Sequence, residues 1–400
     1  MRRVLLVILL IGVFCPFSLA QEQNSDFDFK IFLTQQSEEM DWWNGVPSQF
    51  GPHISEVSSV SKKEIFKIIP IFRNYGLEDG EKANIIYNVS ILKPDNSIYA
   101  EINDLEGWKG KVNGPYLLPA KNRLVVCFEP EDTFGEYAIR IESFDKIKDQ
   151  KVAHEDKINL EEFKLPDLKD DVDLFFTYNY NPDPEKAMAY FLNSAYPFIN
   201  EKGQVVWSGI WFFKCVFDEN DFLIPQIVKF FKDEATKKQK ENIILLFYFL
   251  GKTKELDLKG DLVKYSEGFK KIKAPNPYDK IDNPSQLDML WGEFFATGRL
   301  KPVRQIISSF QLSEFMGTLE KIKKKELDVN EKSVYREAML EATFSSALWS
   351  LESNCNQSSL LYQYCVGLIE SDELNDNEKG YLGAILNSVY EKKKKEDRKE

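Results

Sequence analysis

The sequence predicts an α+β protein of two domains: an all-β sandwich of antiparallel strands, then an all-α domain of helical hairpins. Three observations predict it. From about Asp26 to Phe163 apolar residues alternate with polar ones, the period of half-buried strands. From Asp183 onward they recur every three and four residues, the period of amphipathic helices. Between the two regimes lies "KLPDLKDDVD" (residues 164–173), charged and broken by proline. The expected division is a signal peptide at 1–20, the β domain at 21–165, a linker at 166–174, the helical domain at 175–392 and a charged tail at 393–400.

The chain opens "MRRVLLVILLIGVFCPFSLA". Arg2 and Arg3 form a positive start, and the apolar run at 4–14 falls short of the roughly 20 residues that span a bilayer. Ser18-Leu19-Ala20 places small residues where a signal peptidase reads, so cleavage is expected before Gln21. A retained amino-terminal anchor is the alternative. Cys15 follows Phe14 where a lipobox has Gly or Ala, which argues against a lipoprotein. The expectation is an exported protein of the periplasm, cell envelope or exterior, with no membrane insertion once the leader is gone.

In the β region, "ANIIYNVSI" sets Ile85, Tyr87, Val89 and Ile91 on one face and Ile86, Asn88 and Ser90 on the other. "KPDNS" turns the chain, and Ile98, Ala100 and Ile102 return in phase. "RLVVCF" and "EYAIRIESF" form a second such pair. Residues 35–63 have weak periodicity and carry Trp42 and Trp43, expected to cap the sandwich, with an exposed binding patch as the alternative.

In the helical region Asp183-Pro184 reads as an N-cap with a first-turn proline, followed by the face Ala187, Tyr190, Phe191 and Ser194. Thr236 to Gln239 is a capping box, and its helix ends at Gly251. In "LDMLWGEFFATGRLKPVRQIISSF" (residues 287–310) Leu287, Leu290, Trp291, Phe294 and Phe295 make one apolar stripe. Gly298 ends that helix, and Val303, Ile306, Ile307 and Phe310 make the facing stripe. Leu382, Ile385, Leu386 and Val389 repeat the pattern near the end. Residues 211–231 repeat the hairpin layout, and Pro225 and Pro302 stand 77 residues apart, suggesting an irregular α-solenoid of tetratricopeptide-like build.

Two resemblances add to this. Asp132 to Ile139, "DTFGEYAI", resembles the entry to strand F of immunoglobulin-like domains. It implies a corner tyrosine, Tyr137, whose hydroxyl bonds back to the chain. Ile139 stands where antibody domains have cysteine, so the likeness is to the broad immunoglobulin-like class without its inter-sheet disulfide. "LDMLWGEFFATG" with "ALWSLESNC" resembles exported bacterial proteins of unassigned function. That likeness implies an immunoglobulin-like sandwich followed by a helical-repeat domain, and no activity.

Losing the leader's two arginines takes the formal charge from −12 to −14. So acidic a chain does not suit nucleic acid, whose phosphates need a basic face. Export puts Cys127, Cys215, Cys355 and Cys365 in an oxidising space, where three full pairings are open. Cys215 and Cys365 sit on apolar helical faces, and Cys355 stands where it could swing toward Cys365.

No catalytic set is apparent, and no catalytic, cofactor or metal residue is assigned. The two histidines, His53 and His154, fall in expected loops. Gly-x-Ser-x-Gly, His-Glu-x-x-His and Cys-x-x-Cys patterns are missing. Gly251-Lys252-Thr253 lacks the upstream glycine of a phosphate loop, since that position is Leu246. Asp288 and Glu293 flank Trp291 but point about 140° apart on a helix, so each would need another carboxylate to form a hydrolytic pair. The expectation is a binding or scaffold protein that engages a protein partner through the helical domain and needs no cofactor. The alternative is a carbohydrate-active enzyme, a glycoside hydrolase or lyase.

Overall fold

The structure is a computed structural model. It describes residues 26–396 apart from 37–38, 48, 52, 113–116, 169–173, 194–197 and 201–203. The expected leader, residues 169–173 of the linker and residues 397–400 of the tail lie outside the described residues, as does Ser194.

The amino-terminal half is built from two β-sheets around one core. In the first, β1 (Asp28–Thr34) pairs with β3 (Ile65–Arg73), and β3 pairs with two short strands, β6 (Leu118–Pro119) and β7 (Leu124–Cys127). The second runs β2 (Ser59–Ser61), β9 (Gln150–Glu161), β8 (Gly135–Asp145), β4 (Lys82–Leu92), β5 (Ile98–Lys111). Every pairing among these strands is antiparallel except β2 with β9. Pro70 sits inside β3 at the point where its neighbour changes from β7 to β6. A residue without an amide proton therefore interrupts no ladder there.

The core draws on both sheets: Phe29, Ile31 and Phe72 from the first, Ile85, Tyr87, Ile139 and Ile158 from the second. Ile85, Tyr87, Val89 and Ile91 are buried as their alternation requires. The strand after the turn departs from expectation. β5 is a sheet edge with register shifts against β4, and Ile98 and Ile102 are exposed. An edge strand has one neighbour, so apolar alternation alone does not secure burial. The Tyr137 ring is fully buried, 4.4 Å from Phe128, and its hydroxyl donates to the Thr133 carbonyl at 2.9 Å.

The carboxy-terminal half is helical. The helices begin with α2 (Leu174–Thr177) and α3 (Pro184–Asn193), where the Asp183 carboxylate accepts from the Lys186 amide at 2.8 Å. α4 (Trp207–Glu219) and α5 (Ile224–Asp233) follow, then α6 (Lys237–Phe249), opened by the Thr236–Gln239 capping box. α7 (Asp261–Phe269) precedes the expected hairpin, α8 (Pro284–Thr297) and α9 (Leu300–Ser308). Asn283 and Gln286 box the start of α8, and Gly298 closes it at φ +69°. α10 (Thr318–Lys323), α11 (Lys332–Gln357), α12 (Ser359–Glu370) and α13 (Asp376–Glu396) complete the chain.

Contacts among these helices are not confined to successive hairpins, so the expected solenoid is not shown. α8 is buried around nearly its whole circumference and packs on α4, which precedes it by four helices. A Cβ at Gly292 would meet the Ser208 carbonyl oxygen at 2.6 Å and the Phe212 nitrogen at 2.9 Å, so glycine lets the two backbones touch. α11 packs on α8, α9, α12 and α13, all around one hydrophobic core.

A further helix, α1 (Glu39–Gly45), leaves the β half after β1 and packs on α9 and α12. Trp42 accordingly lies in the helical core, 4% exposed and edge-on to Tyr180 at 5.4 Å. It does not cap the sheets. Residues 35–63 lack periodicity because they strap one half to the other.

Candidate functional site

The two halves meet at a polar junction. Lys63 adopts φ +67° in the turn between β2 and β3, which folds Glu64 back so that it accepts from the Ser61 amide at 2.5 Å. Gln35, beyond the end of β1, donates to the same carboxyl. The Ser61 hydroxyl donates to Glu185 in the first turn of α3, so one serine ties a sheet acid to a helix acid. Burial pushes the Glu64 carboxyl up to about 7, against the Ser61 bond, and the nearby charge of Glu185 adds to the rise. Burial likewise raises Glu185.

Beside this pair is a cleft of about 230 Å³, lined among others by Gln36, Lys67, Tyr178, Asn179, Glu219 and Arg299. Burial holds the Tyr178 phenol far above its ordinary range, and the charges of Glu219, Asp183 and Glu64 reinforce this. Arg299, just past α8, reaches Glu219 at 2.9 Å and Glu293 at 3.9 Å, and the Tyr278 hydroxyl donates to Glu293 at 2.7 Å. Two carboxylates of the helical half thus converge on one guanidinium. Each of these acids is engaged by a hydrogen bond or a cation that ties secondary structure together, and among the described residues no exposed Trp or Tyr lies in the cleft wall. This arrangement can hold the halves in register and take up a proton near neutral pH.

The residues singled out in the sequence sort as follows. Trp291 is 6% exposed, stacks near Phe295 at 6.0 Å and donates its indole N–H to Ser350 Oγ at 3.0 Å, so its apolar stripe is packing. Asp288 faces outward, and Glu293 finds Arg299 and Tyr278. Gly251 closes α6 at φ +71°, and Lys252 pairs with Asp221 at 3.2 Å. His53 lies 5.6 Å from the Trp42 ring, and His154, which falls within β9, bonds Asp28 at 2.7 Å. Cys127 is on β7 and Cys215 on α4. Cys355 and Cys365 lie side by side. Among the described residues no cluster of His, Cys, Asp and Glu is placed to hold a metal ion.

A larger recess lies elsewhere. A groove of about 860 Å³ crosses the outer face of β1 and β3. Phe32, Ile54, Ile71 and Leu117 line it, and Trp43 stands over it, half-buried. Charged groups rim it. Lys30 pairs with Glu56 at 2.5 Å and Arg73 with Asp28 at 2.5 Å, while Glu155 and Asp156 add acid from β9. Burial pushes the Asp28 carboxyl up, but the bonds from His154 and Arg73 outweigh it and hold Asp28 below its ordinary value. The wall that carries Trp43 is mounted on the helical half. Asp41 accepts from the Leu300 amide at 2.9 Å, and Gly45 packs against Leu300 and Tyr364. The sequence singled out Trp43 and His154 but not that they share a groove, since its described lining comes from separate segments without a shared pattern.

No family model matches the chain, and no curated protein matches it. Among solved structures it is similar to an immunoglobulin-like protein from Pseudomonas aeruginosa, at 16% identity over 34% of this chain and 98% of that one, with a TM-score of 0.19. It is also similar to a family 123 glycoside hydrolase from Clostridium perfringens, at 7% identity over 50% of this chain and 36% of that one, with a TM-score of 0.21. At those TM-scores neither likeness carries an argument about fold or activity.

Proposed function

We propose that this is an exported, non-catalytic binding protein, an immunoglobulin-like sandwich joined to a helical domain, which seizes a protein partner in the groove under Trp43. The groove is the observation that carries the reading. Its apolar floor and charged rim have the composition of a protein-binding surface, with a tryptophan in its wall. The helical half takes part by holding α1, and with it Trp43, in place. The bond from Tyr137 to Thr133 supports the immunoglobulin-like reading of the sheets.

The test is a crosslinking capture from envelope fractions of the native organism, with the mature chain as bait. The expected result is one partner recovered by the wild type and lost with Trp43→Ala, whose thermal melt is unchanged. Equal recovery by both baits overturns the groove as the binding surface.

One observation favours a second reading. Glu219 and Glu293 meet at Arg299 beside a cleft, as the acids of a hydrolase would. On that reading the wild type releases reducing sugar from an envelope polysaccharide, and Glu219→Gln does not. The binding reading predicts no release by either protein.

A further inference from the structure

α11 ends at Gln357, and α12 begins at Ser359 after a single-residue turn. Cys355 lies two residues before the end of α11, and Cys365 lies in the second turn of α12. Both are fully buried, and their sulfurs are 3.8 Å apart. Cys127 and Cys215 belong to different halves of the molecule, on β7 and α4. Of the pairings that four cysteines allow, this is the one the fold brings into contact. A disulfide holds its sulfurs about 2 Å apart. The remaining distance must be closed at the end of a helix, where the backbone yields more readily than in its middle.

We propose that Cys355 and Cys365 are a modification site, oxidised to a disulfide that staples the α11–α12 turn. The oxidant is a small or protein-borne disulfide, such as oxidised glutathione. One cysteine thiolate attacks it and releases one glutathione as thiolate. The second cysteine thiolate then attacks the mixed disulfide and releases the other. The two cysteines lose two electrons and two protons, and two glutathione thiols result. The Cys355 contact and burial keep Cys365 in its unreactive thiol form once the fold is closed. Oxidation therefore happens during folding, before α12 docks.

The staple bears on the groove. The Tyr364 hydroxyl donates to the Gly298 carbonyl at 2.9 Å, and Gly367 lies against the Gly45 carbonyl, so α12 is the bed on which α1 and Trp43 rest. The bond would fix that bed covalently. In the cell it rests on the exported reading, but its test needs no partner, so it can fail separately from the binding proposal.

The experiment is to refold the full chain in a glutathione redox buffer, unfold it in denaturant with an alkylating agent present, digest without reductant and map the peptides by mass spectrometry. The expected result is one linkage, Cys355 to Cys365, with Cys127 and Cys215 alkylated, and a Tm that falls by a few degrees on reduction. The Cys355→Ser chain should leave Cys365 alkylated and no linkage. Four alkylated cysteines in the wild type, or a linkage through Cys127 or Cys215, overturns the proposal. The wild-type map decides the matter even if the variant does not fold.

Discussion

At the scale of single residues, two side chains of one chemical type play opposite parts. Trp291 is wedged between Phe294 and Phe295 with its indole nitrogen satisfied. Trp291→Ala should lower stability by about 3–5 kcal/mol, readable as a denaturant midpoint. Trp349 on α11 is 72% exposed, and Trp349→Ser should move stability by less than about 0.5 kcal/mol. Position 292 is the third case. The added methyl of Gly292→Ala must push against backbone atoms of α4, and a cost of about 1–3 kcal/mol is expected in the same measurement. The stripe at 287–295 made Trp291 legible in the sequence, because helical packing repeats at a fixed interval. Glu64 was not legible. Its meaning comes from Glu185, whose bond to Ser61 spans 124 residues, and no local pattern encodes such a pair.

At the scale of elements, the β2–β3 turn and the start of α3 form a proton-sensitive joint. The folded Glu64 carboxyl sits at about 7 against an ordinary value of 4.5. A carboxyl raised on folding binds its proton more tightly in the folded state. Its contribution is whole below about pH 4.5 and is lost as pH rises through about 7, by about 3 kcal/mol at most. Glu64→Gln imitates the protonated form. Its melt should match the wild type at pH 4 and exceed it at pH 8, and equal melts at both would show that Glu64 is not strained. Periodicity and caps placed several helices correctly, from the Asp183 cap to the capping box at Thr236. They failed for β5, whose apolar face meets solvent, and for α1, a short helix inside a stretch without period. In both, tertiary placement decides what local pattern cannot.

At the scale of the whole molecule, the two halves were legible and their union was not. The change of period at residues 164–173 is a local signal, and sheets give way to helices across it. The strap that joins them relies on contacts such as Asp41 to Leu300, 259 residues apart. Helices far apart in sequence likewise share one hydrophobic core that includes α8. The strap makes Trp43 belong to both halves, and the groove depends on that. The most direct measurement places a photo-crosslinking amino acid at position 43 or, as a control, at the exposed position 349, in the mature chain, and exposes each protein to native envelope fractions. A single protein adduct is expected from position 43 and none from position 349. An adduct from position 349 with none from position 43 would contradict this and move the working surface to the helices.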